Sequence, residues 1–162
     1  MAVKGISHVA LGVRDTDEME AMLSFYQEVA GLTVTLDTEE RLEGDERFPG
    51  FRRRGVYLRH DPDDPGGAFI VLHLELDRDT LGSPARLGQV GIHHFAFWTD
   101  DVDAVADRAR AAGIELMYGP SDTDTVWYGE RPGGTVRTMF LHDPGGNVVQ
   151  FDQRVPRIST SR

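Results

Sequence analysis

The chain contains two copies of one short pattern, one near its N-terminus and one just past its middle. The first copy reads Ile6-Ser7-His8-Val9-Ala10 and the second reads Ile92-His93-His94-Phe95-Ala96, and an aspartate follows each a few residues later. Each copy is interpreted as a β-strand, in which side chains alternate between two faces, so Ile92, His94 and Ala96 would share one face and His93 and Phe95 the other. Duplication of a unit that cannot close its own core predicts two similar modules that pack together.

Both halves of the chain predict the same order of elements, namely a strand, a helix and three more strands. The predicted strands of the first half lie at about 5–13, 32–38, 51–60 and 68–76. Those of the second half lie at 91–99, 114–118, 135–142 and 147–153. This order predicts an α+β protein with a first βαβββ module at 1–78, a linker at 79–90, a second βαβββ module at 91–154 and a frayed tail at 155–162.

Composition narrows the function classes. The 162 residues are 40% hydrophobic, and 27 acidic residues against 17 basic ones give a formal net charge of −10. An acidic chain is a poor binder of nucleic acid, because such binding depends on neutralising phosphates. The chain has no cysteine, so disulfides, thiolate metal sites and cysteine nucleophiles are excluded. No apolar run resembles a signal peptide or a membrane span, so we expect a soluble cytoplasmic protein without membrane partners.

Four segments together resemble the vicinal oxygen chelate superfamily, which includes glyoxalase I, methylmalonyl-CoA epimerase, extradiol dioxygenases and bleomycin-resistance proteins. These segments lie at 6–10, 25–32, 93–97 and 140–149. The resemblance implies two tandem βαβββ modules that form a curved mixed sheet around a cleft. It also implies a small-molecule substrate, a homodimer, and a divalent metal ion (Fe, Mn, Ni, Co or Zn) held by the first and last strands of each module.

Carried over by position, the resemblance implies His8 and His94 as metal ligands from the two first strands, while His93 is expected to pack on the helix side. The ligand position in the last strand of the second module is occupied by Gln150, where the family most often has glutamate. An amide offers only a neutral carbonyl oxygen, whereas a carboxylate also brings charge. A set of His8, His94 and Gln150 alone would therefore be neutral and weak.

The missing charge could come from the last strand of the first module, where Val71, His73 and Glu75 share one face. Aligning the Gly-Gly pairs that precede the two last strands places Val71 opposite Gln150. Valine cannot bind a metal, so a ligand on this strand must lie further along it: His73 is two residues beyond Val71, and Glu75 is four residues beyond it. The family's Glu-Leu ending favours Glu75, whereas the smaller offset favours His73. The predicted metal ligands are His8, Glu75, His94 and Gln150, with His73 as the alternative to Glu75.

The second module also carries aromatic and cationic residues that predict an apolar pocket for an anionic substrate. These residues are Trp98, Trp127, Tyr128 and Arg137. The leading hypothesis is isomerase or lyase chemistry of the glyoxalase kind, in which the metal acts as a Lewis acid and Glu75 as a general base. The alternatives are an extradiol ring-cleaving dioxygenase and a metal-free protein that sequesters a small molecule, as bleomycin-resistance proteins do. Gln150 keeps the metal-free alternative open.

Overall fold

The computed structural model describes residues 2–156 and divides the chain into two compact units, Met1–Ser83 and Pro84–Arg162. We call these units module 1 and module 2. The division falls inside the predicted linker at 79–90. Of the predicted tail at 155–162, the residues from 157 onward lie outside the described part of the chain.

Module 1 is a four-stranded mixed sheet with one helix. Its elements are strand β1 (His8–Val13), helix α1 (Thr16–Ser24, continued by a π-helical turn, Phe25–Val29), and strands β2 (Thr33–Leu42), β3 (Phe51–Arg59) and β4 (Phe69–Glu75). The strand order is β1-β4-β3-β2, with β1 parallel to β4 and the other neighbours antiparallel. The predicted βαβββ order is therefore confirmed.

The core of module 1 lies between α1 and one face of its sheet. Asp15 caps the helix by accepting a hydrogen bond from the Glu18 backbone, as the acidic first turn indicates. Alternate residues of β4, at Ile70, Leu72 and Leu74, are buried on the helix side. The other residues of β4 consequently belong to the helix-free face.

Module 2 repeats this architecture. Its elements are strand β5 (Phe95–Trp98), helix α2 (Val102–Ala111), strand β6 (Leu116–Asp124) with a following 3₁₀ turn (Thr125–Tyr128), and strands β7 (Thr135–His142) and β8 (Val148–Val155). The order β5-β8-β7-β6 matches that of module 1, again with a parallel first pair. The prediction of an α+β fold with two repeated modules is confirmed. No helix within the described residues has the length and apolar character needed to cross a membrane.

Two strands differ in extent from the prediction. The strand predicted at 91–99 begins only at Phe95, so His94 lies just before the sheet. In contrast, β2 continues to Leu42, four residues beyond the strand predicted at 32–38. Glu40 faces Arg53 across the β2–β3 ladder and accepts hydrogen bonds of 2.9 and 2.6 Å from its guanidinium. Opposite charges on facing strands stabilise the extended form of this stretch.

Candidate functional site

Module 2 contains a cavity of about 510 Å³ on the face of its sheet that α2 does not cover. The side chain of Gln153 on β8 accepts a hydrogen bond from the Val102 backbone at the start of α2, which places the odd-numbered residues of β8 toward the helix. The even-numbered residues Gln150 and Asp152 consequently face the cavity. Six aromatic residues line it: Phe97, Trp98, Tyr118, Trp127, Tyr128 and Phe140. Its polar lining residues are His94, Thr123, Thr138, Gln150 and Asp152.

The register of three neighbouring strands builds the floor of the cavity as two cross-strand rows. One row is Ala96 on β5, Gln150 on β8 and Phe140 on β7. The next row is Trp98, Asp152 and Thr138 on the same three strands. Since side chains alternate along each strand, both rows present their side chains to the same face of the sheet.

A buried carboxylate lies at the centre of a polar cluster on this floor. Asp152 is only 2% exposed and Gln150 only 7%. The Gln150 Nε2 atom lies 2.8 and 3.0 Å from the two Asp152 carboxylate oxygens, and the Tyr128 hydroxyl donates to Asp152 Oδ1 at 2.7 Å. Nε2 is also 3.2 Å from Thr138 Oγ1. An ionised carboxylate only accepts hydrogen bonds, so it requires the Gln150 amide to turn its NH₂ group inward.

The pKa of the Tyr128 phenol beside Asp152 is raised, and the pKa of His94 in the cavity lining is lowered. Burial, together with the hydrogen bond to Asp152, raises the pKa of Tyr128 to about 12, so the phenol keeps its proton at neutral pH. Burial lowers the pKa of His94, and the adjacent His93 lowers it further, against a smaller opposing effect of Asp152. The cavity floor therefore combines the Asp152 carboxylate with neutral hydrogen-bonding groups on Tyr128, Gln150 and Thr138.

The structure places several predicted residues of module 2 at this cavity. His94, Gln150, Trp98, Trp127 and Tyr128 all line it. Sequence reasoning missed Asp152 and Thr138. The signal for Asp152 was present, because it lies two residues after Gln150 on the same strand and so shares its face.

Two predicted placements in module 2 need correction. Arg137 does not line the cavity, because it lies on the helix side of β7 and forms 2.8 Å ion pairs with Asp103 on α2 and with Asp122. His93 does not pack on the helix side, because the strand starts two residues later. Its side chain is exposed, and its Nδ1 atom lies 2.7 Å from Nδ1 of His94.

In module 1, His8 occupies the place that corresponds to His94. His8 lies at the start of β1, opposite Phe69, and its ring stacks on the Phe69 ring at 5.1 Å. Two residues later, Ala10 faces Val71, just as Ala96 faces Gln150 in module 2. Val71 is therefore the module 1 counterpart of Gln150, and it is a buried apolar residue without a metal-binding atom.

The structure does not bring Glu75 or His73 to His8. In the parallel β1–β4 ladder, His73 faces Gly12, and Glu75 lies six residues beyond Phe69, the partner of His8. At roughly 3.3 Å per residue, this separates Glu75 from His8 by about 20 Å along the strand. Glu75 instead forms an ion pair with Arg78. This corrects the predicted ligand set, in which Glu75, or His73 in its place, completed a site with His8.

Neither module by itself presents donors that fit a divalent metal ion. Over residues 2–156, neither module contains a group of three or more His, Asp or Glu side chains arranged to hold one. Module 1 offers the His8 imidazole beside the apolar Val71. Module 2 offers His94 and an amide, Gln150, whose NH₂ group is turned toward Asp152. The Fe, Mn, Ni, Co and Zn sites expected from the resemblance depend on more donors, and on charged ones.

The half-buried His73 provides a test of the module 1 electrostatics. Burial lowers the pKa of His73, and the neighbouring Arg53, 3.2 Å from its Nδ1, lowers it further, although Glu75 opposes the shift. A histidine with a lowered pKa binds a proton more readily in the unfolded chain. Its stabilising contribution is therefore complete above the unfolded pKa of about 6.5 and decreases as the pH falls below that value.

We expect the free energy of unfolding, measured with urea, to be lower at pH 5.5 than at pH 7.5. The variant His73→Gln should show a smaller decrease, whereas His60→Gln, in an exposed turn, should keep the parent's decrease. The pKa of His94 is also lowered, so the stability of His73→Gln should still decrease somewhat between pH 7.5 and pH 5.5. An identical decrease in the parent and in His73→Gln would contradict the prediction.

Comparison with known proteins identifies the family. The family model of the Glyoxalase/Bleomycin resistance protein/Dioxygenase superfamily matches residues 5–151. No curated protein sequence matches the chain.

Solved structures share the fold at low sequence identity. A glyoxalase family protein from Bacillus cereus is 17% identical with a TM-score of 0.70, over 96% of this chain and 97% of that one. A glyoxylase/bleomycin resistance protein/dioxygenase domain from Frankia is 20% identical with a TM-score of 0.60, over 96% of both chains. A glyoxalase family protein from Enterococcus faecalis is 19% identical with a TM-score of 0.59, over 92% of this chain and 97% of that one. The duplicated βαβββ module and the match over residues 5–151 show that this chain belongs to the glyoxalase/bleomycin resistance protein/dioxygenase superfamily.

Proposed function

We propose that the chain binds a small, planar organic molecule in the cavity of module 2, without a metal ion to hold it. The observation that carries this proposal is the combination of aromatic walls with a buried polar floor in a cavity of about 510 Å³. Small-molecule pockets of about 300–1,000 Å³ usually have this composition, in which apolar walls provide affinity and a few polar groups orient the ligand. This function is the metal-free alternative among the hypotheses drawn from the sequence.

The exposure of the aromatic walls supports this function. Trp127 is 81% exposed and Trp98 is 55% exposed, although both are large apolar side chains. Exposed aromatic rings beside a concavity are typical of surfaces that a ligand or partner covers. A flat molecule that stacks on these rings would remove their faces from water.

The polar floor supports metal-free binding over metal chelation. The Gln150 Nε2 atom lies within 3.2 Å of oxygens on Asp152, Thr138 and Tyr128. The NH₂ group is held by these oxygens, so Gln150 could offer a metal only its neutral carbonyl oxygen. Any rotation that turned the NH₂ group away would remove a neutral donor from the buried Asp152 carboxylate, which is costly.

Binding can be followed through the tryptophans, because the chain contains only two and both line the cavity. We expect 2-naphthalenemethanol to shift both indole N–H signals in ¹H–¹⁵N spectra, with the same affinity before and after treatment with EDTA. Trp127→Ala should weaken binding by about fivefold, since one aromatic contact contributes about 1 kcal/mol. Phe48→Ala, which removes a partly exposed aromatic ring from module 1, should leave the affinity unchanged. Indole signals that do not move with any planar ligand would refute the proposed function.

Metal-dependent catalysis is the second candidate, as an isomerase or lyase or as a ring-cleaving dioxygenase. The observation that favours it is the equivalent placement of His8 and His94, each two residues before the alanine that faces the last strand. Metal analysis of chelator-free protein tests it. Near-stoichiometric Fe, Mn, Ni, Co or Zn, together with ligand binding that EDTA abolishes, would favour this candidate over the first. The homodimer and the cytoplasmic location expected from the sequence stay predictions.

A further inference from the structure

We infer that the molecule bound in the module 2 cavity is a planar organic cation, whose positively charged nitrogen points at Asp152. This inference rests on the proposed function and specifies the class of ligand. It is carried by the charge state of the cavity floor, the chemistry of its walls and the residues absent from its lining.

Within the described part of the chain, Asp152 forms no salt bridge with a basic side chain, although the nearby Arg154 interacts with it electrostatically. Its hydrogen-bond donors are the Tyr128 hydroxyl and the Gln150 amide, both of which are neutral. None of the ion pairs among residues 2–156 includes Asp152. Arg154, two residues further along β8, is instead paired with Glu130. A buried carboxylate without a directly paired cation is unfavourable, and a cationic ligand would supply that partner from the cavity side.

The aromatic walls of the cavity favour a cationic ligand. Trp98, Trp127 and Tyr128 surround the space above the carboxylate, and a cation over the face of such a ring is attracted by the ring's negative π-surface. The guanidinium carbon of Arg154 lies 4.7 Å from the centroid of the Trp98 ring, so one ring of the cavity already carries a cation on one of its faces.

The cavity lining offers little positive charge to an anionic ligand. No lysine or arginine is among the described residues that line the cavity, and Arg137, expected there from the sequence, is paired on the opposite face of the sheet. His94 is the basic residue among the described lining residues, and burial lowers its pKa from the usual value for histidine. An anionic ligand would thus meet the Asp152 carboxylate without a lysine or arginine in the described lining to compensate, whereas a cation would be attracted by that carboxylate.

The test uses three probes that share one ring system and differ in charge. These are 2-naphthylmethylammonium, 2-naphthalenemethanol and 2-naphthoate, each titrated calorimetrically at pH 7.5 into the full chain. We expect the ammonium compound to bind at least tenfold more tightly than the alcohol, and the carboxylate to bind most weakly.

Asp152→Asn removes the charge with little change of shape. This variant should bind the ammonium compound at least tenfold more weakly than the parent, while its affinity for the alcohol stays within about threefold of the parent's. Asp107→Asn is the matched control, because it removes an exposed carboxylate on α2 of the same module and causes the same change in net charge. It should not alter either affinity. A thermal unfolding transition verifies that each variant is folded.

The outcomes separate the two claims. If the alcohol binds the parent chain as tightly as the ammonium compound, the inferred ligand class is wrong and the proposed function stands. If Asp107→Asn lowers the ammonium affinity as much as Asp152→Asn does, the preference comes from overall charge and the inference is again wrong. If no probe binds, the proposed function itself fails. Should Asp152→Asn not fold, the ranking in the parent chain decides, together with NMR cross-peaks between the ammonium methylene protons and the Tyr128 ring.

Discussion

The Gln150→Glu variant should be less stable than the parent chain by about 3–5 kcal/mol at pH 7.5. The Gln150 Nε2 atom lies 2.8 and 3.0 Å from the two oxygens of buried Asp152. Glutamate would place a carboxylate oxygen where this donor stands. The introduced carboxylate and the Asp152 carboxylate would then face each other as two negative charges. The hydroxyl groups of Tyr128 and Thr138 would be the remaining hydrogen-bond donors to them.

The loss of stability caused by Gln150→Glu should be smaller at acidic pH. A second carboxylate beside Asp152 raises the pKa of one of the pair in the folded state, because the two groups can share one proton. The folded variant therefore binds more protons than its unfolded chain, and the loss of stability disappears as the pH falls through the raised pKa toward the unfolded value of about 4.3. This trend is opposite in sign to that of the histidines in the parent chain.

Urea unfolding at pH 7.5 and pH 5 measures both effects. The control is Gln27→Glu on the exposed face of the first helical segment, which adds the same charge and should cost less than about 0.5 kcal/mol. Equal stability of Gln150→Glu and the parent at pH 7.5 would mean that the Gln150–Asp152 contact does not exist. The variant also restores the carboxylate usual in the family, so Mn²⁺ or Zn²⁺ should stabilise it and leave the parent unaffected. Stabilisation of the parent by these ions would favour the metal-dependent candidate.

Gly119→Ala should lower the free energy of unfolding by about 2–5 kcal/mol. A Cβ atom at Gly119 would lie 2.4 Å from the backbone oxygen of Thr138 and 2.9 Å from Cα of Met139. Both atoms belong to the backbone of β7, which cannot move aside without breaking the β6–β7 ladder. The positive φ of Gly119, 81°, adds a conformational cost for any residue with a side chain.

Gly113→Ala separates the two causes. Gly113 follows α2 with a φ of 75°, but no atom lies within 4 Å of a Cβ placed there. It should therefore cost only the conformational part, about 1 kcal/mol. Thermal and urea unfolding measure the stability of both variants. Similar losses of stability in Gly119→Ala and Gly113→Ala would contradict the proposed clash with the β7 backbone. Because Tyr118 and Thr138 line the cavity on either side of this contact, Gly119→Ala should also weaken ligand binding, whereas Gly113→Ala should not.

The residues of the cavity floor should affect stability and ligand binding as a group, because they surround one carboxylate. Gln150, Asp152 and Thr138 lie on neighbouring strands at matching positions, and Tyr128 reaches the same carboxylate from the turn after β6. A change at any of these residues alters the donors available to Asp152. Variants of the floor should thus affect stability and ligand preference together, while variants of the walls should affect affinity alone.

Local patterns predicted the parts of the site that depend on one strand. The histidine pattern located His94, and the alignment of the two halves through their Gly-Gly pairs placed Val71 opposite Gln150, as the two registers do. The error came from the offset that moved the ligand from Val71 to Glu75. An offset of four residues keeps a side chain on the same face but moves it by about 13 Å along the strand, which no pattern of alternation can detect.

The sequence by itself determined the duplicated βαβββ order, because the type of each element depends on neighbours along the chain. Only the tertiary structure decided what surrounds Asp152 and what Arg137 does. Tyr128 meets Asp152 from 24 residues away, and Arg137 meets Asp103 from 34 residues away. Such contacts depend on strand register and on which face the helix covers, and these are set by the packing of the whole module.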